Sequence, residues 1–375
     1  MDQWTFVPGG TEAPGKPVTT ITGPALSKSV QAEEISTAMA VRSRADEQQM
    51  GLRTNLELGH AMQSRIDRPL FSNSEREQLR LMNHYCLHVS GSISSMFTPQ
   101  TPSLWTEWIT GLAFENDYLL HCILSISALH MALKSAAPRD QMVIASRHHG
   151  LGITLFQPYL ANPALGDYDS ALTFSYCVTL YAFGIHFLYR LDTNLISTFI
   201  DIMFLIHGCR ALVASSMEER RTSRWVELIL AKPDVPQQLP EEVEDMLCKL
   251  LEHTASIDSQ VLKGMYVSAL DALRLNHAIA ISYGHSLKTV ATFAVMSPAG
   301  FWPRARQGEA LALAILANYA VILHSYRGSI WIQGWAKAVV DAVRQALPHE
   351  WHSCISWAIA ETNNSRGTAE IMALG

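Results

Sequence analysis

The sequence predicts an all-α fold, a single multi-helical globular domain of about twelve helices. Hydrophobic residues make up 48% of the chain, Gly and Pro become sparse after residue 70, and alternating strand-like runs are hard to find. Pro303 precedes a long apolar stretch, residues 309–324, in which Leu311, Ile315 and Ile322 recur at helical spacing. A helix that is apolar over most of its circumference must be covered, either by other helices or by a bound apolar molecule.

Composition changes along the chain and predicts three segments. Residues 1–70 are expected to form a flexible N-terminal segment or linker, because Pro and Gly are frequent up to residue 30 and polar residues follow. Residues 71–362 form the helical domain, and 363–375 form a flexible tail. Ser74 and Glu77 have the spacing of a capping box and are expected to open the first helix.

Apolar periodicity between proline breakers sets the expected helices. Among the breakers are Pro158 and Pro303, each of which is expected to lie outside a helix. The predicted helices are 75–96, 105–112, 116–135, 139–157, 167–188, 192–214, 239–256, 259–283, 286–296, 308–325, 330–346 and 350–359.

Charge and cysteine content exclude several classes of function. The net charge of −6 argues against nucleic-acid binding by this chain. The first residues lack the leader of a secreted protein, so the thiols are expected to be reduced and buried. The six cysteines stand singly, so no zinc or redox motif is indicated. Residues 171–189 are uncharged and long enough to cross a membrane, but their polar side chains favour a buried core helix.

The remaining motifs favour structural interpretations. His84 and His88 have the spacing of half a metal site, yet no third ligand is evident. A helix with one solvent-exposed edge explains why both histidines occur there. Gly150 and Gly152 are expected to let helices approach each other. The Asp167–Asp169 pair predicts a helix N-cap with a neighbouring carboxylate. With no nucleophile signature, the sequence predicts no catalytic residue, no metal site and no cofactor.

Polar side chains within apolar helices are the candidate site residues. Each needs a hydrogen-bond partner, which either a neighbouring helix or a ligand hydroxyl in an apolar cavity provides. Trp331 and Trp335, four residues apart on one expected helix face, would form cavity walls, although core packing explains that spacing equally well. The candidate ligand-binding residues are His121, Asn318, Tyr319, His324, Trp331 and Trp335.

Several segments, taken in order, resemble the C-terminal regulatory domain of fungal zinc-cluster transcription factors, in particular the sterol uptake control regulators. They are Leu81–Cys86, Trp105 with 112–114, Tyr118–Ala132, Arg147–Phe156, Ala182–Phe183, Trp331 with Gly334 and Trp335, and the Trp351/Trp357 pair. The resemblance covers roughly residues 75–360. It implies an all-α nuclear regulator and, in the sterol-sensing branch, an apolar pocket in the C-terminal helices. No cysteine precedes Cys86, so the six-cysteine DNA-binding module of that family lies outside this sequence, either trimmed or naturally absent.

Three hypotheses of function are open, the third being a scaffold or dominant-negative partner that dimerises with full-length factors through an exposed apolar face. The first is a transcription-regulator-like protein of the nucleus or cytoplasm that senses a sterol- or polyketide-like molecule in lipid or secondary metabolism. The alternative is the same helical fold acting as a biosynthetic enzyme, a cofactor-independent cyclase or isomerase guided by acid–base groups or cavity shape. The expected partners are the apolar ligand and either a second copy or a full-length transcription factor, with no membrane span.

Overall fold

The computed structural model describes residues 53, 71–96, 103–162, 167–189, 194–215, 223–225, 235–284 and 286–364, without the side chains of 189, 209–215, 287 and 288. The chain divides into two compact units, Met1–Ser72 and Asn73–Gly375. The second unit contains the helical domain. Apart from a few residues, the N-terminal segment and the tail lie outside the described residues, so the expectation that they are flexible stays a prediction.

The first half of the second unit is a series of helices. It includes two π-helical turns, Tyr85–Val89 and Leu104–Trp108, each continuous with an α-helix. The α-helices are α1 (Asn73–His84), α2 (Ser90–Ser94), α3 (Ile109–Glu115), α4 (Asp117–Leu133), α5 (Arg139–Ala161), α6 (Tyr168–Tyr189) and α7 (Leu195–Ser215).

Helices continue through the second half, with 3₁₀ turns at Val321–Tyr326 and His349–Ile355. The α-helices are α8 (Glu241–Thr254), α9 (Gln260–Tyr283), α10 (Leu287–Met296), α11 (Phe301–Arg306), α12 (Ala310–Ala320), α13 (Trp335–Ala346) and α14 (Ser356–Asn363). The described part of the chain contains no strand. The predicted all-α fold is therefore confirmed.

Helix α4 lies at the centre of the first half, where it packs against α1, α3, α5 and α6. Its small residues bring α5 close: Ser125 Oγ donates a hydrogen bond of 2.9 Å to the carbonyl of Ala145. A Cβ at Gly152 would lie 3.1 Å from the main-chain oxygen of Tyr118. The prediction that Gly152 lets two helices approach is confirmed, whereas Gly150 faces open space.

Helix α6 contains the apolar stretch that is long enough to cross a membrane. Tyr168–Leu188 is long and apolar enough to cross a membrane by length and composition alone. Within its most apolar 18 residues, 61% are buried inside the protein. Asp167 Oδ2 accepts a 2.8 Å hydrogen bond from the backbone N–H of Ser170, as predicted for an N-cap. The packing of α6 against α4 and α7 fits a core helix of a globular protein.

Three local predictions are wrong. Helix α5 continues through Pro158 to Ala161, and Pro303 lies inside the short helix α11, which the apolar pattern did not predict. Pro303 lies in the first turn of α11, where its missing N–H would be unpaired anyway. Pro158 removes the helical hydrogen bond to the carbonyl of Thr154, yet α5 continues for three more residues. Helix α1 begins at Asn73, which places Ser74 inside the helix, and Glu77 forms an ion pair with Arg147 of α5 instead.

The thiols are only partly as expected. The described cysteines are free, and Cys122, Cys177 and Cys354 are buried. Cys86 and Cys248 are exposed, which corrects the prediction that all are buried. Cys86 lies in the π-helical turn, which buries Tyr85 and Val89. Cys248 lies on α8, outside its buried stripe.

Candidate functional site

Helix α12 carries the centre of the predicted site. Every residue from Leu311 to Ala320 is buried, because Ala and Leu favour the helix and neighbouring helices cover all of its faces. It contacts α11, α13 and α14 as well as α8 and α9. The sequence left open whether other helices or a ligand cover α12. In the structure, protein atoms provide most of this cover.

Asn318 is the polar group buried within α12. Its Nδ2 donates hydrogen bonds to the carbonyls of Ala314, at 2.8 Å, and Cys354, at 3.0 Å. Its Oδ1 is buried and has no hydrogen-bond partner among the described residues. Because a buried polar atom without a partner is uncommon in native proteins, this oxygen marks a position where a further donor belongs.

His277 of α9 lies beside Asn318. The ring hydrogen-bonds the Asn318 backbone, and burial, the larger influence, lowers the His277 pKa to about 4. His277 is therefore neutral at pH 7, and its Nε2 has no hydrogen-bond partner in the described part of the chain. The Trp357 ring, 5.3 Å away between centroids, packs at a steep angle against it. His277 was not among the predicted site residues; its place in an amphipathic helix gave no signal.

Tyr319 points away from Asn318, towards α10 and α7. Its hydroxyl donates a 2.7 Å hydrogen bond to the carbonyl of Val290 and lies 3.3 Å from Met203 Sδ. The ring stacks on Phe293 with centroids 4.7 Å apart. Burial raises its pKa far above the ordinary tyrosine value. The hydroxyl is thus engaged by the protein.

Trp335 is joined to Tyr319 through Phe199, whose ring centroid lies 5.7 Å from that of Trp335 and 6.1 Å from that of Tyr319. Its Nε1–H donates a 3.1 Å hydrogen bond to the carbonyl of Phe183. These residues form an aromatic row among α6, α7, α12 and the start of α13. Of the predicted site residues, the structure brings Tyr319 and Trp335 into this row.

Trp331 and Trp335 do not share a helix face, so that prediction is wrong. Helix α13 begins only at Trp335, after Gly334 adopts a left-handed conformation with φ of 85°. Trp331 lies in the preceding turn, where its Nε1–H donates a 3.1 Å hydrogen bond to Ser92 Oγ. Its ring lies 5.5 Å from His130.

His324 and His121 lie elsewhere. His324 Nε2 is 3.2 Å from the carbonyl of Asn364, close to the end of α14. His121 of α4 pairs with His148 of α5 through Nδ1 atoms 2.9 Å apart. The predicted residues thus occupy separate places, and His121 belongs to the contact between α4 and α5.

A second histidine pair joins α1 to α4. His84 Nε2 and His130 Nδ1 lie 2.9 Å apart, and the ring of His88 is 4.9 Å from that of His84. Burial lowers the pKa of His130 to about 4. Within the described ranges, no group of three or more His, Cys, Asp or Glu is arranged to hold a metal ion. Sequence spacing could not show either pair, since each joins two different helices.

Cys354 and His253 form a contact near Asn318 that resembles a nucleophile and its base. Cys354 Sγ lies 3.1 Å from His253 Nε2, and the His253 ring stacks on Trp351 at 4.2 Å. Burial raises the pKa of the Cys354 thiol. Since the thiolate is the reactive form, this environment favours an unreactive structural cysteine.

The geometry defines a class of protein. It is a helical domain in which most interior polar groups form hydrogen bonds with its own helices. Residues 80–207, from within α1 to within α7, match the family described as the fungal specific transcription factor domain. The match covers about a third of the 375 residues. It supports the coarser part of the resemblance, a fungal transcription factor domain, and does not distinguish the sterol uptake branch. No curated protein matches the chain.

Proposed function

We propose that this chain is the regulatory part of a fungal transcription regulator, working in the nucleus. The observation that carries the proposal is the match of residues 80–207 to the fungal specific transcription factor domain. Those residues form the α1–α7 half of the second unit, built around the buried helix α4. The net charge of −6 argues against DNA contact by this chain, so in this proposal another module or partner contacts the DNA.

We further propose that the α8–α14 half senses an apolar small molecule of the sterol or polyketide class, in lipid or secondary metabolism. Support comes from Asn318 Oδ1 and His277 Nε2, two buried polar atoms without partners among the described residues. Oδ1 only accepts hydrogen bonds, so the ligand must offer an O–H or N–H donor. Tyr319, Trp331, Trp335 and His324 are bonded to protein at separate places, so in this proposal they do not contact that donor and would respond to the ligand only through the packing of the surrounding helices.

Ligand binding acts on regulation through its differential affinity for two arrangements of helices. Asn318 holds the 3₁₀ turn at Cys354 through its Nδ2 group. A ligand that bonds to Oδ1 therefore stabilises the arrangement in which α12 and this turn are joined. His121, at the contact between α4 and α5, would respond only indirectly.

Binding of a fluorescent sterol and of an aromatic polyketide to the purified full chain tests this proposal. The test variant is Asn318→Ala and the matched control is Asn276→Ala, since both of the polar atoms of Asn276 are bonded to protein. We expect saturable binding at one site in wild type and in the control, lost in Asn318→Ala.

Mass spectrometry of the same mixtures separates the sensor from the enzyme. Ligand recovered unchanged supports sensing. Catalytic conversion that is lost in His324→Ala or His121→Ala favours the cyclase or isomerase alternative. Binding that is unaffected by Asn318→Ala contradicts the proposed anchor.

A further inference from the structure

Ser223, Arg224 and Trp225 lie on the connection between α7 and α8 and contact α6. Ser223 and Trp225 are buried, whereas Arg224 is exposed. The indole Nε1–H of Trp225 donates a 2.9 Å hydrogen bond to Thr173 Oγ1 of α6, and its backbone N–H donates a 3.1 Å hydrogen bond to Ser223 Oγ. We call residues 223–225 the docked segment.

The Trp225 ring fills a pocket of aromatic side chains. Its centroid lies 5.9 Å from that of Trp105, 6.2 Å from that of Trp108 and 6.4 Å from that of Tyr176. The guanidinium of Arg224 lies 5.5 Å from the Trp108 centroid, a cation–π distance. A buried tryptophan is stabilised by apolar contact together with a partner for its N–H. This pocket provides both.

The Ser223 hydroxyl fixes the start of the docked segment to the N-terminal turn of α6. Its O–H donates a hydrogen bond to Asp169 Oδ1, and the backbone of Arg224 hydrogen-bonds the same carboxyl group. Burial, the largest influence, raises the pKa of Asp169, and the charge of Asp167 adds to that effect. An anionic group on the Ser223 oxygen would therefore face two carboxylates, Asp169 and Asp167, and one cation, Arg224.

The sequence before Ser223 has the pattern of a kinase substrate. Arg220 and Arg221 stand three and two positions before it. Arginine-directed serine/threonine kinases select such residues by charge, through carboxylates that pair with guanidinium groups. The pattern is short and common in proteins. The structure adds that the hydroxyl it selects is the one that holds the docked segment to α6.

We propose that Ser223 is a phosphorylation site for an arginine-directed serine/threonine kinase, and that phosphorylation releases the docked segment from α6. This inference goes beyond the proposed function and does not rest on it. In the reaction, Ser223 Oγ attacks the γ-phosphorus of ATP and forms the new O–P bond. The bond from that phosphorus to the β,γ-bridging oxygen breaks, ADP leaves, and the hydroxyl proton passes to the base of the kinase.

Phosphorylation weakens docking in two ways. The phosphoserine oxygen no longer carries the proton that Asp169 accepts, and the phosphate adds about two negative charges beside Asp169 and Asp167. Like charges in a partly buried place repel strongly because water screens them poorly. Release of Trp225 then uncovers Trp105 and Trp108, which lie in the half that matches the transcription factor domain.

Docking and phosphorylation oppose each other. Because Ser223 is buried when the segment is docked, the kinase acts on the released segment, and a change that weakens docking must speed phosphorylation. Thr173→Val is such a change, since it removes the acceptor of the Trp225 indole N–H. Thr179→Val is the matched control: both threonines are buried on α6 and donate to the carbonyl four residues earlier.

Incubation of the purified full chain with ATP and the catalytic subunit of cyclic-AMP-dependent protein kinase tests the proposal. Mass spectrometry locates the phosphate, which we expect at Ser223 in wild type and in Thr222→Ala and not in Ser223→Ala. The initial rate at Ser223 should rise at least about threefold in Thr173→Val, because one buried hydrogen bond is lost. It should stay at the wild-type value in Thr179→Val.

Hydrogen exchange measures the release itself. After phosphorylation, the backbone N–H of Trp225 should exchange at least about tenfold faster, while α12 exchanges as before, which shows that the domain stays folded. If Thr173→Val also loosens α12, Trp225→Phe takes its place, since it keeps a ring in the pocket and lacks the indole N–H. Absence of phosphate at Ser223, equal rates in the test and control variants, or unchanged exchange at Trp225 each overturns the proposal.

Discussion

Asn318 of α12 donates a 3.0 Å hydrogen bond from Nδ2 to the carbonyl of Cys354, while its own Oδ1 stays without a partner among the described residues. This one side chain therefore both joins α12 to the His349–Ile355 turn and offers an unfilled acceptor. Experiments can separate the structural role of the Nδ2 group from the proposed ligand-binding role of Oδ1.

Removal of the Asn318 amide destabilises the fold. Asn318→Ala leaves the Ala314 and Cys354 carbonyls without this donor, so we expect the free energy of unfolding to fall by about 1–3 kcal/mol. Urea denaturation measures the change. Asn363→Ala is the control, because the hydrogen bond that Asn363 accepts from Lys337 is exposed, and we expect it to change stability by less than ~0.5 kcal/mol. Equal effects of the two variants would contradict the buried role of Asn318.

Two glycines of α5 form a matched pair. Gly152→Ala places a Cβ 3.1 Å from the Tyr118 carbonyl oxygen, a backbone atom that cannot yield, so we expect a loss of about 1–3 kcal/mol. Gly150→Ala meets no atom within 4 Å and should gain up to about 1 kcal/mol from helix propensity. Thermal unfolding at submicromolar concentration compares the two. The same sign for both changes would refute the packing of α5 on α4.

Gly334 sets the start of α13 through its backbone conformation. Its φ of 85° is unfavourable for other residues, and a Cβ there would touch only Phe187 at 3.8 Å. Gly334→Ala should therefore cost about 1–2 kcal/mol from backbone strain alone. Gly328→Ala, in the same turn region but without a positive φ or a close neighbour, should be near neutral. If the two unfold at the same temperature, the described turn before Trp335 is incorrect.

Buried histidines make the fold sensitive to acid. Burial lowers the pKa of His130, His148, His149 and His277 to about 4, whereas an unfolded histidine titrates near about 6.5. The folded state binds fewer protons between these values, so stability is full above pH ~6.5 and falls as the pH decreases towards ~4.

His149→Phe tests this pH dependence at one position. The His149 ring stacks on Tyr181 at 3.9 Å, and phenylalanine keeps the stacking but cannot be protonated. We expect the slope of unfolding free energy against pH to decrease by up to about 1.4 kcal/mol per pH unit between those limits. An unchanged slope would show that His149 titrates alike in both states.

Helical periodicity was sufficient to predict the fold because most helices bury a continuous apolar stripe. Asp167 as an N-cap and Gly152 as a close-approach residue were also readable, since each acts within a few residues of its own position. The start of α13 was missed because a left-handed glycine interrupts an otherwise helical pattern at Gly334, and α11 was missed because Pro303 reads as a breaker.

The candidate site was less accessible to sequence reasoning. Asn318 was predicted because it is a polar residue in a fully apolar helix. His277, which contacts its backbone, lies 41 positions earlier on an ordinary amphipathic helix. The pairing of His121 with His148 likewise depends on how α4 and α5 pack, which no local spacing encodes.

A reporter assay in yeast tests the central claim most directly. The full chain, fused to an unrelated DNA-binding domain, should change reporter transcription when sterol or polyketide supply is altered, and the Asn318→Ala fusion should lose that response while Asn276→Ala keeps it. A wild-type fusion that is expressed and nuclear, yet leaves transcription unchanged at every ligand level, would contradict the account.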